Sequence, residues 1–149
     1  MPRKALNSPE YGVPIAGFAH VVEAPADGRL LFVSGLTARD AAGAIVGVGD
    51  IEAQARQVFQ NIQAVLLAAG ATLDDLVQIR TYIRDIRDWP VVEEVWREFL
   101  SEPWPASTLV EISRLSDVRQ LIETDAIAVA PAGSSPTTPS DAPGEGRRG

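Results

Sequence analysis

Residues 50–70, DIEAQARQVFQNIQAVLLAAG, constrain the fold more than any other stretch of this chain. Ile51, Ala55, Val58, Phe59, Ile62, Val65, Leu66 and Ala69 recur at three- and four-residue spacing and so form one stripe of an α-helix, while Glu52, Arg56, Gln60, Asn61 and Gln63 take the other side. Asp50 is placed to cap the first free amides, Glu52 to meet the positive end of the helix dipole, and Gly70 to end the helix in the left-handed conformation. A one-sided helix buries its stripe only against another layer. The alternating segments on either side supply that layer.

In chain order, GFAHVVE at 17–23 and RLLFVSG at 29–35 are rich in β-branched and aromatic residues, and Pro25-Ala26-Asp27-Gly28 between them predicts a hairpin. Residues 36–49 read as a glycine-containing loop, with a short strand over 44–48. After the helix, Thr72 and Asp75 suit a capped turn. Val77, Ile79, Thr81 and Ile83 then alternate with Gln78, Arg80, Tyr82 and Arg84, a strand with one apolar face. Asp88 before Trp89-Pro90 starts a second helix with a stripe of Val92, Val95, Trp96 and Phe99, ended by Pro103 and Pro105. Strands over 107–113 and 121–129 follow.

This order predicts an α+β layer, a mixed β-sheet with two helices packed on one face. Period-two phasing puts Thr108, Val110 and Ile112 toward the helices and Ser107, Leu109 and Glu111 away. On the last strand it sends Ile122, Thr124, Ala126 and Ala128 one way and Glu123, Asp125, Ile127 and Val129 the other. A helix-free face carrying Leu31, Val33, Leu109, Ile127 and Val129 is too apolar for water, which implies a closed homo-oligomer.

Composition narrows the function. A net charge of -7 opposes a polyanionic partner, so no nucleic acid is expected. With no Cys and His20 as the only histidine, neither a metal site nor another cofactor is indicated. No segment has the roughly 18 to 20 apolar residues of a membrane span, and 1–12 lacks the apolar core of a secretory signal, so no membrane association and a cytoplasmic location are expected. The sequence divides into an N-terminal segment, 1–14, one domain, 15–130, and a Pro/Gly/Ser-rich tail, 131–149, expected to be disordered.

Val33-Ser34-Gly35, the helix with Gln54, Asn61 and Ala68-Ala69-Gly70-Ala71, TYIRD at 81–85, PASTLVE at 105–111 and IETDAIA at 122–128 occur in an order that resembles the RidA (YjgF/YER057c/UK114) family across about residues 15–130. The resemblance implies a chorismate-mutase-like fold, a homotrimer and small-molecule clefts between subunits. It also implies deamination, in which enamines and imines are hydrolysed to keto acids and ammonia. Such chemistry needs a cation for the substrate carboxylate, a carboxyl group to deprotonate water and a walled cleft.

By the same resemblance Glu123 is the catalytic carboxylate, with Asp125 as the alternative if the register slips by two. Phe18 forms the aromatic wall without a tyrosine hydroxyl, Leu109 stands beside the water, and Gly35 and Glu93 complete the substrate-binding set. Ser107 occupies the place of the carboxylate-binding arginine. A neutral hydroxyl does not replace a bidentate guanidinium, so typical amino-acid-derived imines are not the expected substrates. Arg80, Arg84 and Arg114 are candidate substitutes. The residues also admit plainer roles: an ion pair for Glu123, a strand hydrogen bond for Ser107, a core or interface position for Phe18, a structural role for His20. Two functions therefore stand side by side, a RidA-like hydrolase of a C–N bond and a non-catalytic trimeric module that binds a small metabolite or partner in the same clefts.

Overall fold

The computed structural model describes residues 3–137. Its strands are β1 (Lys4–Leu6), β2 (Val21–Glu23), β3 (Arg29–Thr37), β4 (Leu76–Ile83), β5 (Ala106–Glu111) and β6 (Ile122–Ala130), and its helices α1 (Ile51–Ala68) and α2 (Trp89–Phe99). The main sheet has the order β3-β6-β4-β5, with β4 and β5 parallel and the other pairs antiparallel. It is the α+β arrangement of a mixed sheet under two helices.

Asp50 caps α1 by accepting the Ala53 amide at 3.0 Å, as its position before the apolar stripe predicts. Ala55, Val58, Phe59, Ile62 and Leu66 are buried against the sheet and α2. Phe59 stacks on Phe99 at 5.5 Å and meets Trp96 edge-on. From the sheet, Ile79 and Ile83 of β4 and Ile122, Ala126 and Ala128 of β6 complete this core. The buried Gln54 sits among them because its amide donates to Arg119 O and its carbonyl accepts the Leu121 amide, both at 2.8 Å.

Four sequence expectations change. The 17–23 segment does not form a hairpin with β3. Its end, β2, pairs with β1, and Ala19 bridges to Ala106 on the open edge of β5. Residues 44–48 give only a bridge between Arg39 and Ile45. The phase of β5 is also reversed: its register sets Ser107 beside Ile79 and Leu109 beside Thr81, so both face the helix layer and Val110 faces away. Leu31 and Val33, opposite Ala128 and Ala126, likewise pack toward the core. The helix-free face is still apolar, but it is built from Leu30 (58% exposed), Phe32 (75%), Val110 (40%) and Ile127.

Both ends of the described chain are tied to this body. Arg3 is buried, and its guanidinium donates to the carbonyls of Leu73, Asp74, Leu76, Ser101 and Pro103. At the other end, Arg29 donates to Ser134 Oγ at 2.7 Å and to Ala69 O at 2.8 Å, and the Thr137 amide donates to Ala68 O at 3.0 Å. Residues 131–137 of the expected tail thus cover the C-terminal end of α1. The rest of that segment, 138–149, lies outside the described residues.

Candidate functional site

The candidate residues fall into two groups on opposite faces of the sheet. The first is built by β5, α2 and the strap around residue 18. Ser107 and Leu109 project from β5 toward α2, where Phe18, Ile86, Trp89 and Trp96 join them around a cavity of about 260 Å³. The strap is fixed by Glu93, whose Oε1 accepts the Gly17 amide at 3.0 Å and Arg97 Nη2 at 2.7 Å. Glu93 is not among the residues that line this cavity, and its Oε2 is buried without a partner among the described residues.

Phe18 and Ser107 also border a second cavity, of about 430 Å³, which is completed by Ser8, Tyr11, His20, Gln78 and Thr108 among others. His20 accepts the Ser8 amide on Nδ1 at 3.0 Å, while its own amide donates to Asn7 Oδ1 at 2.9 Å. It holds the N-terminal arm to the wall of this cavity.

The second group lies on the helix-free face. Glu123 on β6 pairs in register with Thr37 on one side and Tyr82 on the other. Its carboxylate lies directly over the Cα of Gly35, at a spot where any side chain on residue 35 would collide with it. Gly35 in turn borders an open groove of about 720 Å³ with Leu36, Thr37, Arg39, Asn61 and Val65.

Electrostatics separates the two carboxylates that sequence left open. Asp125 is occupied: it accepts Arg80 Nε at 2.8 Å and the Tyr82 hydroxyl at 3.1 Å. Burial and the bond to Asp125 push the Tyr82 hydroxyl up, and the same carboxylate raises Arg80. Glu123, half-buried two residues away, has no hydrogen-bond partner among the described residues. Of the candidate cations, Arg80 is thus spent on Asp125. Arg84 shares this face and buries an Nε without a partner, while Arg114 is exposed.

Ile86, Trp89 and Trp96 are among the lining residues that sequence reasoning missed. In sequence Trp96 reads as part of the core stripe of α2 and Trp89 as its start, and most of that stripe is core. The unused signal is that three indoles on or near one 11-residue helix exceed what a small core needs. Among the described residues no group of His, Cys, Asp and Glu is disposed to hold a metal ion.

Comparison with known proteins gives a consistent result. A family model described as Endoribonuclease L-PSP matches residues 10–130. A RutC family protein of Pyrococcus horikoshii is 39% identical over 123 residues, 82% of this chain and 91% of the relative. The 3-aminoacrylate deaminase RutC of Acinetobacter baylyi is 30% identical over 128 residues, 86% and 98% of the two chains. Among solved structures, a conserved Rid family protein of unknown function from Yersinia pestis superposes with a TM-score of 0.76 at 30% identity, covering 87% of this chain and 99% of that one. Fold, motif order and these matches agree, and the chain belongs to the RidA/YjgF family, which includes the RutC proteins.

Proposed function

We propose that this protein hydrolyses the C–N double bond of a small imine or enamine, in clefts formed where one subunit's Ser107 face meets another's Glu123 face in a homotrimer. The observation that carries the reading is Glu123, a half-buried carboxylate left unpartnered over a glycine while its neighbour Asp125 is fully engaged. A carboxylate in that state is available to a water molecule.

In the reaction Glu123 takes a proton from water as the oxygen bonds to the imine carbon, and passes that proton to the nitrogen. It then takes the carbinolamine hydroxyl proton and returns it to the nitrogen as the C–N bond breaks, leaving a carbonyl compound and ammonia. Phe18 and Leu109 wall the substrate, Glu93 holds the strap that carries Phe18, and Gly35 lets the carboxylate approach the opposing backbone. The deaminase name of the Acinetobacter relative supports this class of chemistry. Ser107 argues against that relative's carboxylate-bearing type of substrate, and the net charge of -7 argues against the nucleic-acid substrate named in the family model's description.

The test is loss of an imine generated in situ, followed by competition with semicarbazide. Glu123→Gln should lower the rate by about a hundredfold or more while trimer mass and melting temperature hold. On carboxylate-bearing imines the wild type should be slow, and Ser107→Arg should raise the rate about tenfold to a hundredfold. Full activity in Glu123→Gln would sink the role given to Glu123, and absence of wild-type turnover on any imine would leave the metabolite-binding module as the reading.

A further inference from the structure

We infer that the cavity of about 430 Å³ beside Ser107 is a subsite for a hydroxylated arm of the ligand, while the cavity of about 260 Å³ on the other side of Ser107 takes an apolar arm. The substrate class is a two-armed ketimine. Its reacting carbon lies between Phe18 and Ser107, with an alkyl or aryl group on one side and a polyol-like chain on the other. This deepens the hydrolase reading and rests on it only for the reacting C–N bond.

The two cavities share Phe18 and Ser107 and no other lining residue. The register of β5 explains the division: Leu109 faces α2 and the apolar cavity, whereas Thr108, and Gln78 opposite Ala106, take the other face of the sheet. Ser107 stands at the open edge between them, where the strap meets β5 at the bridge from Ala19 to Ala106.

The larger cavity is bordered by polar groups that the fold leaves unused. The side chains of Tyr11, Gln78, Ser107 and Thr108 make no hydrogen bond among the described residues. His20 adds a fixed donor: its Nδ1 accepts the Ser8 amide at 3.0 Å, so the neutral ring carries its proton on Nε2. The set is mixed, because the imidazole only donates, the Gln78 amide donates and accepts, and the three hydroxyls do either. A chain of hydroxyls answers such a set, since each of its members also does either. An arm of acceptors alone would leave the Gln78 carbonyl unpaired, and an apolar arm would strip water from all five groups. Ring faces are at hand for the C–H side of the chain. Tyr11, 81% exposed, and Phe18 flank His20 with centroids 4.9 and 6.1 Å from its ring.

Heptane-1,2,3-triol and heptan-1-ol test the inference on the full-length protein. They share a skeleton, and the triol adds hydroxyls next to the first. The mono-alcohol is the more apolar, so transfer out of water alone favours it. The triol should nevertheless bind at least about tenfold more tightly and shift the side-chain amide resonances of Gln78, which the mono-alcohol leaves in place. Both should shift the methyl resonances of Leu109 in the apolar cavity. Gln78→Leu should weaken the triol about twofold to tenfold and leave the mono-alcohol unchanged. If that variant does not fold, Thr108→Val provides the second arm with the same expectation.

Equal or tighter binding of the mono-alcohol, an unmoved Gln78 amide, or no binding of the triol would overturn the inference. Triol preference in a protein that turns over no imine would instead remove the hydrolase reading and leave the subsite standing. Brisk imine turnover with equal binding of the two alcohols would do the reverse.

Discussion

Arg3 and Glu123 show two ways of placing a charge in a small fold. The Arg3 guanidinium is 4% exposed and is satisfied entirely by main-chain carbonyls, with burial lowering its pKa and Asp74 and Asp75 opposing that shift. Arg3→Met keeps the aliphatic stem but strips donors from several carbonyls, so urea unfolding should show a loss of about 2–4 kcal/mol. Glu123 has the reverse arrangement, a carboxylate without a donor, which is what a reacting group requires. A third charge makes a pH prediction. Hydrogen bonds from the Arg87 side chain and amide pull the Asp85 carboxyl down to about 2 from 3.8. A depressed carboxyl stabilises the fold fully above its unfolded value near 3.8 and ceases to do so as pH falls through about 2. Asp85→Asn should therefore melt lower than wild type at pH 6, and the two melting curves should converge toward pH 2.

At the scale of elements, legibility in the sequence followed the strength of the periodic signal. The stripe of α1 apart from the exposed Val65, its Asp50 cap, the inward set of β6 and that of β4 from Ile79 onward read correctly, whereas at the start of β4 a register shift between Leu76 and Gln78 buries Leu76 in place of Val77. The phase of β5 did not read correctly, since an edge strand meets a cavity on one side and open sheet on the other, and Leu109 and Val110 look equally apolar in sequence. Turn chemistry at 25–28 was genuine, but a turn does not say whether the flanking segments pair. The true partner of β2 is a three-residue strand at 4–6, too short to show a period. Glu123 and Ser107 were legible as chemistry and by resemblance, whereas their separation onto opposite sheet faces required the register of β5. The C-terminal extension gives an element-scale test. Truncation after Thr137 should leave the melting temperature unchanged, while truncation after Ala130 removes the Ser134 and Thr137 bonds and should lower it by a few degrees.

For the whole molecule, the helix-free face sets the expected assembly. Leu30, Phe32, Val110 and Ile127 make it apolar, and the proposed trimer covers it. Light scattering should give three times 15.9 kDa for the wild type. Phe32→Glu, exposed in a single chain and hence tolerable to the monomer fold, should shift the mass toward 15.9 kDa. A wild-type monomer would remove the shared cleft. The strand order carries a further consequence, for synthesis. The strand that joins the two halves of the sheet, β6 between β3 and β4, leaves the ribosome after all the other described strands. Until it emerges, β3 has no neighbour in the main sheet, and β4 offers an unpaired edge lined by Ile79 and Ile83. The nascent chain therefore holds an unfinished sheet until residues 122–130 emerge, and stalled or shortened products ending before residue 122 should be strong clients of chaperones that bind exposed strands.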